Sequence, residues 1–131
     1  MEKQTTFLAG LMIMLSIVFG AFGAHALKTI LEPTQLDTFD VGVRYQGFLA
    51  MGVLVLSLNT HRFAFQIKGI LWAMLIGMLL FSFSIYGLVL GPHFLGANAF
   101  RFLGPVTPIG GAISIISWCV FLFRLLKYGQ A

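Results

Sequence analysis

Polar residues divide the chain into four long apolar runs joined by short polar or glycine-broken connections. The first run covers about residues 5–27, long enough to cross a ~30 Å hydrocarbon layer at ~1.5 Å per residue. The third and fourth, about 69–90 and 106–126, are also of spanning length, with Trp72 and Tyr86 near the two ends of the third. The second is different. Its purely apolar part, Gly47 to Leu58, reaches only ~18 Å as a helix. To span, it must extend back through Gln46, Tyr45, Arg44 and Asp40, so the predicted helix covers about 33–58. Pro33 suits its first turn, with Asp37 and Asp40 near the positive end of the helix dipole. Asn59 to Lys68 reads as a tight hairpin connection. Gly91 to Pro105 is apolar but cut by three glycines and two prolines, which predicts an interfacial or partly re-entrant loop holding Arg101 at the headgroups.

Composition turns this pattern into a fold class. Of 131 residues, 59% are hydrophobic and 9% charged, against ~25% charged in soluble domains. A soluble fold of this size could not hide that much apolar surface. The expectation is a single all-α domain: a membrane protein with four transmembrane helices in a bundle. The net charge of +4 would raise the question of nucleic acid in a soluble protein, but the basic residues sit at the ends of apolar runs, as membrane-flanking charges do. No nucleic-acid partner is expected. Ala24-His25-Ala26 resembles a signal-peptide cleavage site. However, Glu2 cancels Lys3 and the run exceeds a usual signal h-region, so the segment is read as a retained helix.

Four spans put both termini on one side. That side holds Lys3, Arg62, Lys68, Arg124 and Lys127 against Glu2, a net of +4; the other holds Lys28, Arg44 and Arg101 against Glu32, Asp37 and Asp40, a net of zero. The positive-inside rule places both termini in the cytoplasm of a multi-pass plasma-membrane protein. Small residues repeat every fourth position at Ser16, Gly20 and Ala24 in the first run, and at Gly110 and Ser114 in the last. These are stripes where another helix can approach closely.

With this topology His25, Asp40, Arg44, Tyr45, Gln46, Ser82, Tyr86 and Thr107 converge at the outer ends of the four helices, and bundle sites are built from such convergence. Arg44 drawn into a span is a functional candidate by default, and Asp40 at i−4 is the partner that makes it tolerable. The pair reads equally well as a structural clamp. No metal site is expected: His25, His61 and His93 are isolated. Haem held by His25 and His93 would need a ligand in a glycine-broken loop, and no cofactor is expected. Cys119, alone, excludes an intramolecular disulfide and reads as a small buried residue. A proton relay through Asp40, His25 and Tyr45 is chemically open, but no spacing demands it and no catalytic motif occurs.

GAFGAH at Gly20 to His25, Tyr45-Gln46, FSFSIY at Phe81 to Tyr86, and VTPIGG at Val106 to Gly111 followed by Trp118 resemble the YgdD/YwdK-like family of small four-helix membrane proteins, which carries a domain of unknown function. The motifs fall in the family's order along nearly the whole chain. The resemblance implies four helices in a bacterial plasma membrane and no established activity, substrate or cofactor. It marks His25, Tyr45, Gln46, Ser82, Ser84, Tyr86, Thr107 and Pro108 as the motif positions. Leu49 stands where relatives often have a histidine, which argues against a mechanism needing two facing histidines at that level.

Three functions follow in order of expectation. The first is a non-enzymatic protein binding a lipid or small amphipathic ligand, or serving a structural role, with its polar site in the outer leaflet. The second is a subunit of a small oligomeric channel or transporter. The last is an enzyme using His25 as general base. The partners expected are membrane lipid and, through the small-residue stripes, further copies of the chain; no motif identifies a protein partner. The topology is directly testable. A green fluorescent protein fused after Ala131 should fluoresce in cells, and an alkaline phosphatase fused there should be inactive; the reverse pair would invert the orientation.

Overall fold

The computed structural model describes residues 1–129 as four long helices with three single-turn 3-10 segments in the connections. Helix α1 is Lys3–Ala24, α2 Pro33–Leu58, α3 Lys68–Leu95 and α4 Val106–Tyr128. All four are long and apolar enough to cross a membrane. The chain is an all-helical membrane protein.

Local chemistry explains most of the boundaries. Pro33 occupies the first turn of α2, where its missing N–H costs nothing. The Glu32 side chain and the Gln35 side chain cap the exposed backbone N–H groups reciprocally, with Glu32 N–H donating to Gln35 Oε1 at 3.0 Å. Two expected limits move. Helix α1 ends at Ala24, with His25 as its cap, three residues before the expected end at Leu27. Helix α3 runs through Gly91 and Pro92 to Leu95, five residues past the expected end, so the start of the expected loop is helical. A proline late in a helix removes only one ladder bond, and the following loop covers one face of this turn. Leu103 lies over Gly87 and the Phe100 ring over Gly91, where a Cβ on either glycine would overlap them. Gly96 stops the helix with φ +112°, a conformation suited only to glycine.

Packing is serial. Helix α1 lies on α2, α2 on α3 and α3 on α4, with only a slight touch between α1 and α3 and no extensive contact between α1 and α4 among the described residues. The central pair, α2 and α3, therefore buries most of the core. One apolar cluster, built on Val53, Leu71, Met74 and Met78, fills the half that carries the termini. A second, around Phe39, Val43, Ile85 and Val89, fills the other. At the terminal end Glu2 N–H donates to Ser57 O (3.1 Å), Thr6 Oγ1 to Ser57 Oγ (3.0 Å) and Arg124 Nη1 to Gln66 O (3.1 Å).

The small-residue stripes meet helices of the same chain. Ser16 faces Gly47, Gly20 faces Val43 and Gly23 faces Phe39, so the α1 stripe is the seam with α2; Ala24, at its end, is exposed. Gly110 and Ser114 form the seam with α3. A Cβ at Gly110 would stand 2.8 Å from Gly77 O and from the Leu80 carbonyl carbon, and one at Gly77 would stand 2.8 Å from Ser114 N. Backbone meets backbone there. Cys119, expected to be buried, is exposed, because α4 packs mainly on α3 and buries only the face of Gly110, Ser114, Ser117 and Phe121.

Gly110→Ala should therefore destabilise the protein by about 1–3 kcal/mol, since neither backbone can yield without opening the seam. Gly10→Ala, with nothing within 4 Å of the new methyl, should leave stability unchanged or slightly raised. Thermal unfolding in detergent, followed by circular dichroism, measures both.

Candidate functional site

Gln46 sits near the middle of α2 and is fully buried. A primary amide there must find partners, since an unpaired one costs several kcal/mol in an apolar interior. It finds two. Its Nε2 donates to Met12 O in α1 at 2.8 Å, and its Oε1 accepts from Tyr86 Oη in α3 at 2.6 Å. One side chain thereby ties three helices together. One turn toward the N-terminus of α2, Ser82 Oγ donates to Gly42 O at 2.8 Å, a second bond from α3 into α2. Gly42 is required at that point, because a Cβ would stand 2.9 Å from the Tyr86 ring. The Tyr86 ring packs among Phe19, Phe39 and Phe83, with centroids 5.1, 5.1 and 5.3 Å away. This buried group is aromatic and amide-lined, and its bonds are internal.

The other expected residues lie elsewhere. Thr107, at the start of α4, shares a 2.6 Å hydrogen bond with Ser84, whose hydroxyl also donates to Phe81 O. Ser84 faces α4 while Ser82 and Tyr86 face α2. It joins the helices at a second point that the sequence signalled only through the family motif. His25 is exposed at the cap of α1. Asp40, Arg44 and Tyr45 are exposed on the outer face of α2. Arg44 Nε pairs with Asp40 Oδ2 at 3.0 Å, and both side chains are about 60% accessible (60% and 58%). The expected convergence of eight residues thus separates into three parts, with His25 apart from them at the cap of α1. Gln46, Tyr86 and Ser82 meet in the interior, Thr107 meets Ser84 at the α3–α4 seam, and Asp40, Arg44 and Tyr45 face outward. Helical phase is the reason: at ~100° per residue, Arg44 and Gln46 lie on opposite sides of one helix.

The outward face has depth as well as charge. Ser57 meets Glu2 and Thr6 at the terminal end of the bundle, and Arg44 lies thirteen positions away in α2, or ~20 Å along the helix. That puts its Cα inside a ~30 Å hydrocarbon layer. Its side chain reaches toward Asp40, one turn nearer the membrane surface, as a snorkelling arginine does. Next to it, Tyr45 opens an apolar groove of about 430 Å³ between α2 and α4, lined by Leu49, Phe81, Ile115, Trp118 and Leu122 among others. Among the described residues no three histidine, cysteine or acidic side chains are grouped to hold a metal ion.

If Gln46 ties the helices, Gln46→Leu should destabilise the protein by about 1–2 kcal/mol, because Tyr86 Oη loses its buried acceptor. Tyr86→Phe should cost less, and the double variant less than the two single losses combined. Unfolding in detergent of the four proteins gives the coupling.

The family profile described as "Protein of unknown function (DUF423)" matches residues 19–111, a stretch that contains the glycine-histidine, Tyr45-Gln46, Phe81–Tyr86 and Val106–Gly111 motifs. A UPF0382 membrane protein of Staphylococcus epidermidis is 32% identical over 126 residues, covering 96% of this chain and 98% of its own. The UPF0382 membrane protein YwdK of Bacillus subtilis is 32% identical over 128 residues, with 96% and 98% covered. A UPF0382 membrane protein of Schizosaccharomyces pombe is 35% identical over 115 residues, with 87% and 94% covered, so the similarity reaches beyond bacteria. No solved structure matches the chain. The chain belongs to the DUF423 family of membrane proteins, a family of unknown function that includes YwdK.

Proposed function

We propose that this protein is a non-enzymatic membrane protein that binds a membrane lipid or similar amphipath on the outer face of α2. One observation carries the reading: the Asp40–Arg44 pair is exposed on a helix face at hydrocarbon depth. A charge there is costly unless something polar meets it. The buried polar residues support the same assignment. Tyr86 bonds to Gln46, and Gln46 and Ser82 donate to the backbone carbonyls of Met12 and Gly42, so the hydrogen bonds of this group run between helices rather than toward an interior ligand. The filled core also speaks against a water-filled path within one protomer. By the count of flanking charges the α2 face belongs to the outer leaflet of the plasma membrane, with both termini cytoplasmic.

The test is native mass spectrometry of protein extracted gently with its lipids, beside Arg44→Ala. A discrete lipid-mass adduct on the native protein, lost in a variant of unchanged helicity, is the expected result. An unfolded variant would make the pair a structural clamp. Solute flux into liposomes rising with protein dose, with no adduct, would instead favour a pore between protomers.

A further inference from the structure

We infer that the protein carries a lipid site at the membrane surface opposite to the α2 pair. It takes an anionic phospholipid from the leaflet on the side of the termini, with the phosphate on Arg124 and one acyl chain in a groove between α3 and α4. This site goes beyond the reading above and does not depend on it.

The groove is the first argument. It holds about 410 Å³ between the start of α3 and the second half of α4, with Gly69 and Ala73 on one side and Ile116 and Val120 on the other. Gly69 opens part of that space, since a Cβ there would meet nothing within 4 Å. From Arg124 to Ile116 the groove follows α4 for eight positions, ~12 Å at helical rise and within the ~15 Å depth of one leaflet. Ser117 also lines it, but its hydroxyl turns back to donate to Ile113 O at 2.6 Å. The slot therefore suits a hydrocarbon chain. A partner's transmembrane helix would need an apolar surface through both leaflets, and this groove ends within one.

The mouth supplies the charge. Arg124 and Gln66 line the groove where it reaches the terminal end of the bundle. Arg124 Nη1 donates to Gln66 O at 3.1 Å, which fixes the guanidinium at the mouth and leaves most of its five N–H donors for another acceptor. A carbonyl does not neutralise the cation. Among the described residues no carboxylate pairs with Arg124 or lines the groove. Glu2, at this end of the bundle, is engaged by Lys68 at 3.7 Å. Lys127, three positions beyond Arg124, adds positive charge. A guanidinium takes phosphate oxygens through its fork of donors, and this cationic end favours a headgroup with a net negative charge over a zwitterionic one. Cation and slot share one lining, with the cation at the surface end.

The test reconstitutes the full chain in nanodiscs of equimolar phosphatidylglycerol and phosphatidylcholine, and reads the lipids retained by native mass spectrometry after gentle release. The native protein should retain phosphatidylglycerol over phosphatidylcholine by about tenfold, the weight of one charge-assisted contact. Arg124→Gln, which removes the charge, should abolish that preference. Gly69→Leu places its side chain in open space and so spares the fold; it should lower retention of phosphatidylglycerol severalfold with every charge in place. Arg44→Ala should leave the preference intact, which separates this site from the α2 face. Equal retention of the two lipids by the native protein, or a preference that survives Arg124→Gln, would overturn the headgroup assignment. Retention undiminished by Gly69→Leu would overturn the groove. A lipid-free dimer that Gly69→Leu disrupts would overturn the site as a whole and identify the groove as an interface between copies.

Discussion

The bundle depends on one buried amide. In a membrane the apolar surfaces of helices have little reason to prefer each other over lipid, so specificity comes from close packing and from polar groups that must be satisfied. Gln46 supplies the second of these at the centre of the fold. Its two hydrogen bonds reach α1 on one side and α3 on the other, and they hold α2 at one rotation about its axis. That rotation decides what every other residue of α2 faces. It turns Gly42 toward the Tyr86 ring and Ser82 and turns Val43 toward Gly20. It also turns Asp40, Arg44 and Tyr45 outward.

Close backbone approach supplies the first requirement. The α3–α4 seam is made by Gly77, Gly110 and Ser114 with carbonyls and amides of the two helices in contact. Ser114 Oγ is buried there with no conventional hydrogen-bond partner. A Cβ added at Gly77 would overlap it, so the hydroxyl fills the space that the glycine leaves open. Because these small residues are consumed within the chain, they do not require a second copy. The serial order of packing also leaves long stretches of α1 and α4 for lipid, which accounts for exposed residues such as Phe7, Ile17, Ile116 and Phe123.

The division between a satisfied interior and a charged exterior bears on function. The interior polar group has the character of a fastening: its hydrogen bonds run from one helix to another. The exterior pair does not fasten two elements, since Asp40 and Arg44 belong to the same helix. An exposed i, i+4 pair contributes only a few tenths of a kcal/mol to a helix in water, which is a weak reason to carry an arginine at that depth.

Segment length, charge placement and composition determined that this is a four-helix membrane protein, because spanning a hydrocarbon layer imposes a length and an apolarity that can be counted residue by residue. The motifs also determined the family. The polar residues of α2 were visible as a group for the same reason, standing out against an apolar background. What they do was not visible. Residues 44, 45 and 46 are adjacent in sequence, but one degree of freedom, the rotation of α2 against α1 and α3, places Gln46 in the core and its two neighbours at the lipid. Hydropathy cannot report that rotation in a helix whose apolar residues surround it on nearly all sides. Only the tertiary structure decided it, through the one interior position where an amide meets both a free carbonyl lone pair and a tyrosine hydroxyl.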